Sequence, residues 1–209
     1  MISEIEALRV GVQEQVSWLR ELGDPVLILA AGAPRTIPEG TPLTTRAFGL
    51  RGEPALGSQA EPALGPRGEP QQPAAVREPG VLVAAHFLAG HPAYAVVVGD
   101  PAQTSIARSA RAVLVMGGGS ARRRDGAPGY IDDRAVAYDD ELARLIGDAD
   151  VSTLATPDLA LARALLADLP APLAVAARLV GDNAVHGELV SYDAPYGVAN
   201  FVARWSTDE

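Results

Sequence analysis

The alternation of apolar and polar positions along the chain predicts helices and strands in turn. Apolar residues at spacings of three and four over 2–22 predict an amphipathic helix that ends at Gly23. The apolar run 25–31 is bounded by turn formers, which is typical of a central parallel strand. Segment 81–89 is apolar throughout and fits either a strand or a short buried helix. Segment 94–99 predicts a further strand.

The second half of the chain continues this alternation and ends in a hairpin. Helical periodicity or helix-start chemistry predicts a helical turn and three helices, at 104–110, 132–146, 156–168 and 172–180. Thr156 is the expected capping hydroxyl of the segment that it begins, with Pro157 in the first turn. Strands are predicted at 113–115, 185–192 and 197–205. Together these elements predict an α/β fold: a three-layer α/β/α domain with a mixed, mostly parallel sheet and a C-terminal hairpin.

Between about residues 37 and 80 this pattern gives way to glycine and proline. The unit at 52–57 nearly repeats at 60–65, but two imperfect copies do not make a solenoid. We therefore expect a single domain over 1–209 that carries a low-complexity surface insertion at about 37–80. A partner-binding arm is the alternative interpretation of this insertion.

Composition excludes several classes of protein. The 17 basic and 26 acidic residues give a net charge of −9, which disfavours nucleic acid and anionic membrane surfaces as partners. The chain has no cysteine, so disulfides, zinc thiolate sites and thiol nucleophiles are excluded. No apolar run approaches the length of a membrane span, and the acidic N-terminus does not resemble a signal peptide. These features predict a cytoplasmic protein.

A glycine-rich loop follows the strand at 113–115 and is the first candidate site. Its run of three glycines predicts a loop that only glycine can form, at the strand end where open α/β sheets bind ligands. Backbone amides of such a loop bind anions, and a nearby arginine assists. Neither established phosphate-binding motif is present, so backbone geometry is the alternative explanation. The expected ligand is small and aromatic or anionic, and its candidate residues are Gly117, Gly118, Gly119, Ser120 and Arg122.

Two further groups of residues are candidates for chemistry. His186 and Glu188 are two apart on a predicted strand and so share a face, and His86 would complete a set of two histidines and one carboxylate. The alternative is that His86 packs in its apolar run while His186 lies at the surface. Asp193 and Tyr196, in the turn of the hairpin, are candidate acid/base groups. Alternatively, Asp193 caps this turn and Tyr196 packs against it.

Segments 113–130, 131–134 and 192–199 resemble the class III extradiol ring-cleavage dioxygenases of the LigB-like type, in particular an alanine-rich actinobacterial branch. The resemblance extends from about residue 81 to the end of the chain. It implies an α/β sheet core and ferrous iron held by two histidines and a glutamate. It also implies a further histidine as acid/base group, and cleavage of a catechol ring with dioxygen.

The chain departs from this family at the positions that carry the chemistry. Ala121 stands where the resemblance places the acid/base histidine, and 32–35 contains no counterpart of an iron-ligating histidine. We also expect the family's first ligand-bearing strand to be missing, which would expose a sheet edge and favour a homo-oligomer. The sequence therefore predicts a non-catalytic binding or accessory protein with no cofactor. The alternative is a metal-dependent oxidoreductase, a catechol-type dioxygenase with Fe(II) in a rebuilt site.

Overall fold

The computed structural model of the chain has a mixed α/β fold. It describes residues 4–23, 25–41, 43, 56–57, 76–106, 110–181 and 183–207. The chain divides into two compact units: the sheet unit, Trp18–Met116, and the helical unit, which joins Met1–Ser17 to Gly117–Glu209. The predicted α/β class, with a mixed, mostly parallel sheet and a C-terminal hairpin, is confirmed.

Six helices and six strands make up the regular structure of the described residues. The helices are α1 (Glu4–Glu21), α2 (Pro79–Phe87), α3 (Ala135–Gly147), α4 (Val151–Leu154), α5 (Leu159–Ala164) and α6 (Pro170–Val180). The strands are β1 (Val26–Ala31), β2 (Arg35–Ile37), β3 (Ala93–Val98), β4 (Ala112–Met116), β5 (Val185–Asp193) and β6 (Asn200–Thr207). Short 3₁₀ turns lie at Pro101–Gln103 and Pro195–Gly197. None of these helices combines the length and apolarity that crossing a membrane requires.

The sheet of the sheet unit has the strand order β2-β3-β1-β4. β1 lies between β3 and β4 and pairs in parallel with both, with Val26 opposite Ala93 on one side and Ala112 on the other. Residues Val26 to Ala30 are fully buried, which explains why this strand is wholly apolar. Among the described strands, β2 and β4 form the edges of the sheet. The expected homo-oligomer stays a prediction.

The segment that fitted either a strand or a helix is the helix α2, which packs against β1 and β4. Gly80 in its first turn permits this packing. A Cβ atom there would lie 3.0 Å from the Met116 Cβ and 3.1 Å from the Ala30 Cβ, so any side chain would push the helix from the sheet. The apolar character of α2 therefore reflects burial against strands.

The structure differs locally from the predictions. β2, antiparallel to β3, and α4 were not predicted from the sequence. α5 is capped by Asp158, whose Oδ1 accepts hydrogen bonds from the amides of Ala160 and Leu161, and not by Thr156. The 3₁₀ turn Pro101–Gln103 precedes the expected turn at 104–110, of which 107–109 lie outside the described residues.

Parts of the glycine- and proline-rich segment belong to the core of the sheet unit. Leu43, Leu56 and Val76 are buried, although the segment was expected to form a surface insertion. The amide of Leu56 donates to the carbonyl of Thr41 at 2.9 Å. Most of the two near-repeats lies outside the described residues, including the whole of 60–65. Two buried leucines and a buried valine therefore anchor the described parts of this segment in the core of the sheet unit.

Candidate functional site

The glycine loop, residues 117–122, follows β4 and belongs to the helical unit. None of its three glycines has a φ in the left-handed region, so the expectation that backbone conformation demands glycine is wrong. Close packing demands glycine instead, at the first and third of these positions. A Cβ on Gly117 would lie 2.6 Å from the Leu169 Cα, and one on Gly119 would lie 2.6 Å from the Asp139 Oδ1. The loop is compact because neighbouring groups approach its backbone directly.

The backbone amides of the glycine loop bind acceptors of the chain itself. Three successive amides donate within the helical unit: Gly118 to the Asp168 Oδ1 at 2.6 Å, Gly119 to the Ala199 carbonyl at 2.9 Å, and Ser120 to the Asp139 Oδ1 at 2.8 Å. Two of these acceptors are carboxylates, so the protein's own anions occupy positions that a phosphate would take. An external anion would have to displace the Asp168 or the Asp139 carboxylate.

The Ser120 hydroxyl and one terminal nitrogen of Arg122 are also engaged, whereas the buried Arg122 Nε has no hydrogen-bond partner among the described residues. The Ser120 hydroxyl is buried, donates to the Leu165 carbonyl at 3.0 Å and accepts from the Arg122 amide at 3.0 Å. The Arg122 guanidinium donates to the Ala164 carbonyl at 2.8 Å and lies 3.7 Å from the Asp132 carboxylate. Ser120 and Arg122 therefore contribute to the structure of the loop, and a ligand would compete with these contacts.

Asp139 is a central residue of the site that the sequence analysis missed. Its side chain is fully buried on α3, and beyond the Ser120 amide it faces the Arg123 guanidinium at 3.5 Å. Burial raises its pKa, while the Ser120 amide and Arg123 act in the opposite direction. The indication was available in the sequence, because Asp139 lies four residues after Ala135 and three before Leu142, on the apolar face of the helix.

Arg123 links Asp139 to the hairpin. Its guanidinium donates to the Tyr192 oxygen at 2.5 Å, and the Tyr192 hydroxyl donates to the Asp140 Oδ1 at 2.6 Å. Burial and this bond to Asp140 raise the pKa of Tyr192 to about 12, so its hydroxyl stays protonated at neutral pH. The Tyr192 ring stacks on Phe201 with centroids 5.1 Å apart. This network joins the glycine loop, α3 and both strands of the hairpin.

The candidate acid/base residues lie in the turn between β5 and β6. Asp193 is exposed, and its Oδ1 accepts a hydrogen bond from the Ala194 amide at 2.7 Å. This bond agrees with the alternative interpretation, in which Asp193 caps the turn. Tyr196 is 67% exposed and has a φ of 56°, a conformation that is uncommon for a residue other than glycine. The exposed ring of Tyr196 is not packed as the alternative interpretation expected.

The candidate metal ligands do not fit a ferrous iron site. His86 is exposed on α2, where its ring meets Phe87 edge-on with centroids 5.7 Å apart. His186 and Glu188 are both exposed on β5, and the Glu188 carboxylate forms an ion pair with Arg204 at 2.5 Å. Within the described part of the chain, no three histidine or carboxylate side chains form a group that could hold a metal ion.

The carboxyl end of β1, where the resemblance places an iron ligand, carries an ion pair in the sheet unit. Arg35 follows that strand and donates to the carboxylate of Glu78, the N-terminal flanking residue of α2. Burial alone would raise the pKa of Glu78, but the bonds from Arg35 and from the Arg77 amide outweigh burial and lower it. This carboxylate therefore neutralises an arginine of the chain.

The raised pKa of Asp139 predicts how stability varies with pH. A carboxyl whose pKa is higher in the folded than in the unfolded state contributes stability below about pH 4, and this contribution is lost as the pH rises through the folded pKa. The wild type should therefore lose stability relative to Asp139→Asn, which cannot titrate, as the pH rises toward neutrality. Urea unfolding of both proteins across this range measures the difference. If the difference in unfolding free energy between the two proteins stayed constant, or grew in favour of the wild type, the pKa of Asp139 would not be raised in the folded state.

Comparisons with known proteins assign no family to this chain. No model of a known protein family matches it, and no curated protein matches it significantly. The resemblance to the class III extradiol dioxygenases stays a prediction.

Proposed function

We propose that this chain is a non-catalytic binding or accessory protein with a scaffold similar to that of the class III extradiol dioxygenases. Support comes from the residues at the positions that matter for that chemistry. Ala121 has no group that could transfer a proton at the position of the acid/base histidine. After β1, Arg35 pairs with Glu78 in the region where the resemblance expects an imidazole ligand.

The observation that carries the proposal is the closure of the glycine loop by the protein itself. Asp168, Ala199 and Asp139 accept the three successive amides of the loop, and Arg123 and Arg122 bind other groups of the helical unit. Each of these groups would be needed free if the loop bound a reacting substrate. Their mutual bonds instead give the loop a structural role, as expected when a scaffold persists and its chemistry does not.

Iron loading and oxygen uptake test this proposal. The protein is incubated with Fe(II) without oxygen, desalted, analysed for iron and then assayed for oxygen uptake with catechol. We expect less than stoichiometric iron and no uptake above that of the iron-free protein, because the described side chains do not form an iron-binding group. An active extradiol dioxygenase treated in the same way serves as positive control.

One iron per chain together with catechol-dependent uptake would overturn the proposal in favour of the rebuilt-site alternative. The rebuilt-site alternative also predicts which substitutions would abolish the activity. Both iron retention and oxygen uptake would then fall in His186→Gln and in Glu188→Gln, since these exposed residues are its predicted ligands. Uptake that survives both substitutions would point to other residues and would still contradict a non-catalytic role.

A further inference from the structure

A cavity of about 650 Å³ lies among α3, α4, α5 and α6 of the helical unit. Its volume is within the range of small-molecule sites in proteins. Apolar side chains from all four helices dominate its wall, among them Leu142, Leu145, Leu154, Leu161 and Leu173. None of the candidate binding, metal or acid/base residues from the sequence analysis lines it, so it is a separate candidate site.

The Tyr138 hydroxyl at this cavity has no hydrogen-bond partner among the described residues. Tyr138 lies on α3 and is half-buried. Burial, followed by the charges of Asp139 and Asp158, raises its pKa to about 12. The phenol thus stays neutral at physiological pH and lies in a region of negative potential.

The charges that line the cavity are predominantly negative. Three carboxylates, Asp133, Glu141 and Asp158, lie there with one guanidinium, that of Arg134. Arg134 is already held by both oxygens of Asp132, at 2.9 and 2.8 Å.

Glu141 is paired with Arg144 outside the cavity wall. Asp133 and Asp158 have no ion-pair partner among the described residues. The Asp158 Oδ1 accepts the amide hydrogen bonds that cap α5, and its other oxygen has no bond within those residues. Two exposed carboxylates at the cavity thus have no cationic partner in the part of the chain that the structure describes.

We propose that this cavity binds a small molecule with an apolar body and one protonated amine. The apolar body packs against the leucine side chains, and the ammonium group lies near Asp133 and Asp158, with the Tyr138 oxygen as a further acceptor. A carboxylate or phosphate ligand would meet the same two aspartates as like charges and is disfavoured. This site goes beyond the proposed function, because it does not depend on the glycine loop.

Three probes with the same ring system and different charges test the proposal by isothermal titration calorimetry at low salt. The probes are naphthylmethylamine, naphthylmethanol and naphthoate. We expect saturable binding of the amine, weaker binding of the alcohol and no binding of the acid. No saturable binding of the amine, or equal affinity for the amine and the acid, would overturn the proposal.

Three variants locate the bound amine. Asp158→Asn retains a side chain that can cap α5 but removes one charge, so amine binding should weaken about two- to fivefold while alcohol binding is unchanged. Ala137→Trp places a large ring in the cavity from an exposed position of α3, so both probes should lose binding. Glu14→Gln on α1 removes a charge outside the cavity and should leave every affinity unchanged.

The variants also provide outcomes against the proposal. Amine binding that persists in Ala137→Trp would place the probe elsewhere. An amine-to-alcohol affinity ratio that Asp158→Asn leaves unchanged would remove the role of charge. Neither result bears on oxygen uptake, so failure of this inference and failure of the proposed function are distinguishable.

Discussion

The Asp139→Ala variant is expected to unfold with a free energy about 2–4 kcal/mol below that of the wild type. Asp139 is fully buried, and its removal leaves the buried Ser120 amide without an acceptor. The Arg123 guanidinium, whose side chain is only 18% exposed, loses the carboxylate 3.5 Å away at the same time. An unpaired buried donor and an uncompensated charge both favour the unfolded chain. Chemical denaturation followed by circular dichroism measures this loss.

Two matched variants make this prediction specific. Asp139→Asn keeps the shape and one acceptor oxygen, so it should lose less stability than the alanine variant. Asp148→Ala removes an exposed carboxylate just beyond the end of the same helix, where it pairs with Arg144, and should cost at most about 0.5 kcal/mol. If Asp139→Ala were as stable as Asp148→Ala, Asp139 would not hold the glycine loop, and the main support for the proposed function would fall.

The fold could be predicted where local pattern and burial coincide. β1 is wholly apolar because it lies between two parallel neighbours, and this environment is visible in sequence as an unbroken apolar run. β2 has only three residues, too few for any periodicity, and its strand conformation comes from pairing with β3. The start of α5 was misplaced because Thr156 and Asp158 are both good caps. Which of the two side chains accepts hydrogen bonds from the free amides of α5 depends on the folded structure.

The candidate site could be located but not interpreted from sequence. The glycine run marked the right loop, yet its purpose depends on Leu169 and Asp139, which lie tens of residues further along the chain. No pattern in the local sequence predicts that residues so distant in the chain approach the glycines closely. The same holds for the acceptors of the loop amides, since Asp168 and Ala199 are brought there by tertiary packing. Asp139 alone gave an indication, as a charged residue on an apolar helix face.

The three glycines of the loop should respond very differently to alanine, although they are adjacent. Gly117→Ala places a Cβ 2.6 Å from the Leu169 Cα and 2.8 Å from its amide nitrogen, and the backbone there cannot move without disturbing α6. Gly119→Ala brings a Cβ within 2.9 Å of Asp139, Ala199 and Phe201. Each of these substitutions should lower the free energy of unfolding by about 3 kcal/mol, because closely packed interiors cannot accommodate the added methyl group.

Gly118→Ala is the matched control, and it should not lose stability. The nearest atom to its Cβ would be the Ala199 carbonyl oxygen at 3.5 Å, which is ordinary contact, and its φ is outside the left-handed region. Alanine restricts the unfolded chain more than glycine does, so this variant should be neutral or more stable by up to about 1 kcal/mol. Urea unfolding of the three variants measures the order of their stabilities. A loop built for conformational freedom would instead lose similar stability at each position, whereas the close approaches seen here require the middle glycine alone to tolerate a side chain.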